Sequence, residues 1–222
     1  VDALLGMAAA LGLVLATNAV FVADWPRFLV GIAIAEKTAH KPTDQDFTAP
    51  ITKLREAKCE LIAMGTIVRD TIVPYTTARK AGWNDVIFLG SAATYDLVGG
   101  AAPGMDGFYG MGLTEMPYAD SEHPKVKAFV EAYKKKVDID PNIGAVYGYV
   151  AADLTVQGLI NAGKDLTTDS FVKGMEAIKG YHDIFNGPPV TFGPNIRQGA
   201  NSSFLALVKG GKWTRATQTL SF

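Results

Sequence analysis

The sequence contains a single cysteine, Cys59, among its 222 residues. An internal disulfide is therefore excluded, and a chain of this length can bury a sufficient core without one. Cys59 stands at the entrance to an apolar run, and unpaired cysteines are among the most buried residue types. We expect a buried structural thiol rather than a nucleophile, because no histidine stands at a spacing that suggests a paired base.

An excess of charge of either sign is also missing. Lys and Arg number 21 against 22 Asp and Glu, which gives a formal net charge of -1. Proteins that bind nucleic acid or anionic membranes attract phosphates with a basic surface, and this composition provides none. We therefore expect no nucleic-acid partner.

The sequence lacks the motifs of common enzymes. It contains no Gly-x-Ser-x-Gly elbow, no Walker loop and no His-Glu-x-x-His pair, and the glycines at 107–112 lack the strand–turn–helix context of a dinucleotide site. Acidic residues such as Asp138 and Asp140 fall in loop-like sequence, where solvated turns and caps explain them. We expect no catalytic residue, no cofactor and no metal site.

The first 35 residues form a segment that admits two interpretations. Residues 4–16 are uncharged and rich in Leu and Ala, as in the apolar region of a signal peptide. The alternative is an Ala-rich helix packed on a sheet, followed by short strands. The run is too short to span a bilayer, and we expect no stable membrane insertion.

Downstream, apolar strands alternate with amphipathic helices. Short apolar strands are indicated at residues 61–65 and 86–90, each ending in glycine, with one helix between them. That helix is expected to open at Asp70 and to end at Gly82. The pattern is typical of a β–α–β unit, so the sequence predicts an α/β fold whose parallel sheet is flanked by helices.

The second half of the chain predicts helices followed by a hairpin. Helices are expected at 121–136, 143–162 and 168–178, and in the longest of them Leu159 is expected to belong to the core stripe. Two strand runs, joined by a Gly-Gly turn, predict a C-terminal β-hairpin. The chain thus divides into an N-terminal segment at 1–35, an α/β region at 36–120, and helices and returning strands at 121–222.

The order and spacing of several segments, from about residue 36 to 216, resemble the second lobe of type I periplasmic binding proteins. These are the substrate-binding proteins of branched-chain amino acid ABC importers. The segments that carry the resemblance are TDQDF at 43–47, LIAMGTIVRDTI at 61–72, ARKAGW at 78–83, VYGY at 146–149, GPPVTFGP at 187–194 and FLALVK at 204–209.

The resemblance implies a bacterial periplasmic, or otherwise extracytoplasmic, protein that is not an enzyme. Such a protein binds a small molecule, an amino acid, amide or organic acid, and delivers it to ABC permease subunits. A ligand-sensing regulatory domain of the same fold is one alternative, and an α/β enzyme with an unrecognised site is another. The resemblance also implies that the chain lacks most of the family's first lobe.

Two arguments nominate the same ligand contacts. In open α/β sheets ligands bind at the carboxyl ends of strands, where backbone N–H groups and helix N-termini are free, and the resemblance places second-lobe contacts on the same turns. The alternative is that the hydroxyl side chains there only cap the helices that follow. The candidates are Thr66, Ile67, Val68, Ser91, Ala92 and Ala93, with Tyr109, Tyr147 and Tyr149 as weaker ones.

Two positions depart from the family pattern. Amino-acid-binding members carry an acidic residue just after the glycine matched by Gly90, and it pairs with the ligand ammonium. They also carry an aromatic after the glycine matched by Gly65. Here those places hold Ala92 and Ile67. Because an unpaired buried ammonium costs several kcal/mol, we expect an uncharged or anionic ligand rather than a zwitterionic amino acid.

Overall fold

The computed structural model describes residues 34–41 and 43–221. Its helices are α1 (Thr48–Glu56), α2 (Val68–Lys80), α3 (Leu97–Ala101), α4 (Pro124–Val137), α5 (Ile143–Ala162) and α6 (Thr168–Glu176). Its strands are β1 (Leu61–Met64), β2 (Ile87–Gly90), β3 (Tyr109–Gly112), β4 (Ser202–Lys209), β5 (Lys212–Arg215) and β6 (Leu220–Ser221). The signal-like run and short strands predicted for the N-terminal segment lie outside these residues.

The described strands form one sheet. Their order is β1-β2-β3-β4-β5, and β6 pairs with β4. β1, β2 and β3 are parallel, with Met64 opposite Gly90 and Gly90 opposite Gly110, whereas β4 is antiparallel to β3 and β5. The predicted α/β fold, with a mostly parallel sheet flanked by helices, is confirmed. The helix predicted between the first two strands is α2, which provides the crossover that parallel pairing requires.

The C-terminal hairpin is also confirmed. Lys209 of β4 lies opposite Lys212 of β5, which leaves a two-residue turn. Gly210 and Gly211 form this turn with φ values of 60° and 75°. Glycine adopts such angles without a Cβ penalty, and two successive positive φ values characterise the hairpin turns that match strand twist.

Aromatic side chains fill the core on one face of the sheet. Tyr75 of α2 packs edge-on against Phe88 and Phe108, with ring centroids 5.1 and 5.3 Å away. Its hydroxyl donates a hydrogen bond of 2.6 Å to the carbonyl of Asp106. Trp213 packs against Phe108 at 6.1 Å and extends this core to β5. These contacts fix α2 against β2 and against the residue that precedes β3.

The chain forms two compact units. Unit 1 contains the described residues through Gly112 and those from Ser203 onward, and unit 2 is Leu113–Ser202. Unit 1 therefore includes α1, α2 and α3 with almost the whole sheet, and unit 2 includes α4, α5 and α6. The sequence-based division into regions at 36–120 and 121–222 is a different one, and it stays a prediction.

Two details differ from the sequence-based expectation. α2 begins at Val68, so Asp70 lies within its first turn instead of opening the helix. Leu159 is 40% exposed and does not belong to a core stripe of α5. The buried residues of α5 include Val146 and Gly158, which lie on another side of the helix.

Two glycines allow α5 and α6 to cross closely. A Cβ at Gly174 of α6 would collide with the carbonyl of Gly158 and lie 2.9 Å from the backbone nitrogen of Ala162. Both obstacles are backbone atoms, which cannot rotate away as a side chain would. A methyl group at this position therefore requires the two helices to separate.

We predict that Gly174→Ala lowers the free energy of unfolding by about 1–3 kcal/mol, because the helices must move apart. Gly148→Ala is the matched control, since a Cβ at Gly148 meets nothing within 4 Å. In a helix interior alanine should stabilise by about 0.5–1 kcal/mol relative to glycine. Urea denaturation followed by circular dichroism measures both variants, and equal effects would contradict a close crossing.

Candidate functional site

Two of the predicted ligand-contact segments follow neighbouring parallel strands. β1 ends at Met64 and β2 at Gly90, and these residues are in register. The N–H of Ser91 donates to the carbonyl of Met64 at 3.0 Å, which continues the pairing beyond β2. We call residues 66–68 the β1 turn and residues 91–93 the β2 turn. The structure brings both turns to the same edge of the sheet.

The β2 turn is held by local hydrogen bonds, and only its first residue, Ser91, is fully buried. Ser91 is 3% exposed, and its hydroxyl oxygen accepts the N–H of Ala93 at 3.3 Å. The Thr94 hydroxyl donates to the Ser91 carbonyl at 2.7 Å. Ser91 thus caps a 3₁₀ turn at Ala92–Thr94. This agrees with the alternative interpretation, in which the hydroxyl side chains cap the helices that follow. Ala93 is exposed and Ala92 half-buried, so these two present the surface of the turn.

The β1 turn leads into the N-terminus of α2. The Thr66 and Thr71 hydroxyl oxygens are 2.6 Å apart, and the Thr71 hydroxyl donates to the carbonyl of Ile67 at 2.9 Å. Ile67 is 63% exposed, and no side-chain hydrogen bond caps α2 at this residue. The first backbone N–H groups of α2 are therefore donors at the positive end of a helix dipole, an arrangement that suits an anion or a polar oxygen.

A buried carboxylate supports the first turn of α2. Asp70 is 3% exposed; it accepts a hydrogen bond of 2.6 Å from Nε of Arg69 and lies 3.1 Å from Nε2 of His40. Burial alone raises the pKa of Asp70, but the hydrogen bonds from Arg69 and His40 outweigh it, so the pKa is lowered below its usual value. Asp70 is thus ionised and already paired. Sequence reasoning missed this cluster, because His40 lies 30 positions earlier and no local pattern connects the two residues.

The predicted tyrosines have apolar packing partners. Tyr109 pairs with Leu89 inside the sheet and packs on the cluster around Met111, so the structure does not bring it into either turn. Tyr149 belongs to α5 in unit 2, and its ring lies 5.7 Å from that of Phe185. As ligand contacts, both tyrosines stay predictions.

Tyr147 of α5 is half-buried, and its hydroxyl has no hydrogen-bond partner among the described residues. Burial raises the pKa of this hydroxyl to about 12. A buried hydroxyl without a partner costs free energy, and no described residue compensates that cost at Tyr147.

Unit 2 contains a cleft of about 320 Å³. Its polar lining includes Glu115, His123, His182 and Asp183, and none of the nine predicted contact residues lines it. The Asp183 carboxylate accepts the N–H groups of Phe185 and Gly187 at 2.6 and 3.1 Å. This acid therefore shapes the loop that borders the cleft.

Cys59 is half-buried, not fully buried as expected. Burial, and then the negative charge of Glu36, raise the pKa of its thiol. A protonated thiol is a poor nucleophile, which fits a structural residue. Within the part of the chain that the structure describes, no group of three or more His, Cys, Asp or Glu side chains could bind a metal ion.

A family model described as periplasmic binding protein matches residues 9–212. The chain belongs to the periplasmic binding protein family. Its members are substrate-binding proteins and not enzymes. Membership of this family therefore confirms the prediction that the chain is not an enzyme. The resemblance to binding proteins of branched-chain amino acid ABC importers is confirmed as well.

Individual relatives of this periplasmic binding protein chain are longer than it is. Leu/Ile/Val-binding protein homolog 8 of Brucella abortus is 26% identical over 193 residues, which are 82% of this chain and 45% of the relative. A branched chain amino acid ABC transporter from Thermus thermophilus, solved with bound valine, is 17% identical with a TM-score of 0.78, covering 93% of this chain and 57% of its own. A fatty acid ABC transporter substrate-binding protein from Thermomonospora curvata is 22% identical with a TM-score of 0.70, covering 92% and 54%. The chain spans about half the length of these proteins.

We predict that Asp70→Asn lowers the free energy of unfolding at neutral pH by about 1–3 kcal/mol, because buried hydrogen bonds to a charged group are lost. The folded-state pKa of Asp70 is depressed. Its carboxylate therefore stabilises the fold above the unfolded value of about 3.9, and that contribution is lost as the pH falls through the lower folded value. Unfolding free energies of both proteins across this pH range measure the effect.

The difference between the wild type and Asp70→Asn should shrink below about pH 4. Asp85→Asn is the control, because Asp85 is an exposed carboxylate between α2 and β2, and it should change little at any pH. A difference as large at about pH 3 as at neutral pH would contradict a charged Asp70.

Proposed function

We propose that the protein containing this chain is an extracytoplasmic solute-binding protein of bacteria, which binds a small organic molecule between two lobes and delivers it to an ABC permease. The observation that supports the proposal most is the parallel pairing of β1 with β2. This pairing aligns the ends of the two strands, so the β1 turn and the β2 turn lie at the same edge of the sheet. The contacts from unit 1 are then Thr66, Ile67, Val68, Ser91, Ala92 and Ala93.

Each turn would make a different contribution to binding. The β1 turn offers backbone N–H groups at the uncapped start of α2, and these donate to an oxygen of the ligand. The exposed Ile67 side chain and the methyl groups of the β2 turn offer apolar surface. Ligand sites combine such apolar walls with a few placed polar groups, and hinge closure of two lobes completes the enclosure.

The charges around the two turns favour an uncharged or anionic ligand, such as an amide or an organic acid. Asp70 is buried and paired, and the six contact residues contain no acid. The Arg69 side chain is 51% exposed, but it pairs with Asp70, so the two together add no net charge beside the helix N-terminus. Unit 1 would therefore provide no carboxylate partner for a buried ligand ammonium. The Thermus relative was solved with valine and the Thermomonospora relative is named for fatty acids, so the fold accommodates both classes.

We predict that the two-lobed protein binds benzoate or a medium-chain fatty acid at least tenfold more tightly than leucine, isoleucine or valine. The reason is the unpaired ammonium, since tenfold corresponds to about 1.4 kcal/mol. Isothermal titration calorimetry with each ligand measures the dissociation constants. Leucine binding tighter than that of every anion would show that the ligand class is wrong.

We predict that Ala92→Glu shifts this preference toward amino acids by about tenfold or more in Kd, because a carboxylate at the β2 turn can pair with the ammonium. Ala81→Glu is the matched control. Ala81 is an exposed alanine at the far end of α2, so the same charge there should leave the preference unchanged. Equal shifts from both variants would mean that Ala92 does not contact the ligand.

A further inference from the structure

A loop of unit 2 contains the dipeptide Asn186-Gly187, and Asn-Gly occurs nowhere else in the sequence. Asparagine followed by glycine is the pair most prone to deamidation, because glycine has no side chain to shield its backbone nitrogen from the asparagine amide. Every other asparagine of the chain precedes a residue with a side chain. The sequence therefore concentrates this reaction at one loop.

The fold of the loop requires both residues of the dipeptide. Asn186 has a φ of 56°, a left-handed conformation that asparagine adopts more readily than most residues with a side chain. A Cβ at Gly187 would collide with the Asp183 carboxylate and lie 3.0 Å from the carbonyl oxygen of Leu113. The reactive pair is thus retained for structural reasons, and neither residue can be exchanged freely.

Two carboxylates bind the two groups that react with each other in deamidation. Nδ2 of the exposed Asn186 side chain donates to Oε1 of Glu115 at 2.6 Å. The Gly187 N–H donates to Oδ1 of Asp183 at 3.1 Å. Glu115 is itself fixed to the same loop, because its N–H donates to the carbonyl of Phe185 at 2.8 Å. Glu115 therefore restrains the amide, whereas Asp183 is placed to accept the proton that the glycine nitrogen must lose.

We propose that Asn186 is a site of spontaneous deamidation, and that its hydrogen bond to Glu115 controls the rate. When this bond opens, the nitrogen of Gly187 forms a bond to Cγ of Asn186, and the N–H proton passes to the Asp183 carboxylate. The Cγ–Nδ2 bond breaks, and Nδ2 leaves as ammonia with that proton. Water then opens the cyclic imide and leaves aspartate or isoaspartate at position 186.

The product changes the border of the cleft in unit 2. Asn186 and Glu115 both line this cleft, and deamidation replaces their donor–acceptor pair with two carboxylates, which repel each other. Isoaspartate also lengthens the backbone beside Gly187, where there is no space even for a Cβ. Both products should release residues 183–187 from residues 113–115. Because ammonia is lost, the release is permanent. The ligand predictions concern unit 1, so their failure would leave this proposal standing.

The first experiment compares two asparagines within one peptide. The intact chain is kept at mildly alkaline pH, and trypsin then releases residues 180–197, which contain both Asn186 and Asn195. Fragment masses report the conversion of each. We expect product at Asn186 to accumulate about tenfold faster or more, because Asn195 precedes the stiff, branched Ile196. Equal rates, or earlier conversion of any other asparagine, would overturn the proposal.

The second experiment tests the control by Glu115. Glu115→Ala should raise the rate at Asn186 about tenfold, because the loop loses a bond to a charged acceptor and opens more often. Glu115→Gln keeps an acceptor oxygen and should stay within about threefold of the wild type. Glu131→Ala is the matched control, since Glu131 is an exposed glutamate of α4 outside the cleft lining. An unchanged rate in Glu115→Ala, or an equal rise in both alanine variants, would refute the role of Glu115.

The third experiment examines the product directly and stays informative if Glu115→Ala does not fold. Asn186→Asp should make hydrogen exchange about tenfold faster at the amides of Glu115 and Gly187, whose bonds hold the loop. Asn201→Asp is its matched control, because it makes the same change at an exposed position outside the loop. Exchange that is as slow in Asn186→Asp as in Asn201→Asp would contradict release of the loop.

Discussion

The in-register pairing of β1 with β2 determines where the candidate ligand contacts lie. Parallel neighbours require a crossover, which α2 provides, so both strands end at the same edge of the sheet. The crossover is fixed by Tyr75, which packs on Phe88 and Phe108. A shift of one residue between the strands would reverse the faces of every side chain in β2 and separate the two turns.

The electrostatics of this sheet edge depend on Asp70, the acidic residue nearest to it, because Asp70 is already paired with other residues of the fold. Asp70 lies in the first turn of α2, where it pairs with Arg69 and His40 and is covered from solvent. The carboxylate therefore stabilises local structure and is not available to a ligand. Ala92 and its neighbours in the β2 turn carry no acid, so the edge keeps backbone donors but has no acceptor for an ammonium.

The order of the elements was predictable because local patterns specify it. Apolar strands ending in glycine, a helix between them and a Gly-Gly hairpin turn can each be recognised within ten to twenty residues. The exposed side of α5 was not predictable, since a helix that is apolar all round has no periodicity to orient Leu159. The pairing of His40 with Asp70 joins positions 30 apart, and only the tertiary structure brings them together. Tyr109 stays a candidate contact, and its place beside Leu89 depends on strand register, which its own sequence does not specify.

The most direct measurement is a crystal structure of the two-lobed protein with its ligand bound. A ligand oxygen should lie about 3 Å from a backbone nitrogen at the start of α2, and ligand carbons should contact the methyl groups of Ala92 and Ala93. The pairing of Asp70 with His40 and Arg69 should persist unchanged in the complex. A ligand that contacts no atom of the β1 turn or the β2 turn would contradict the assignment of this sheet edge as the binding site.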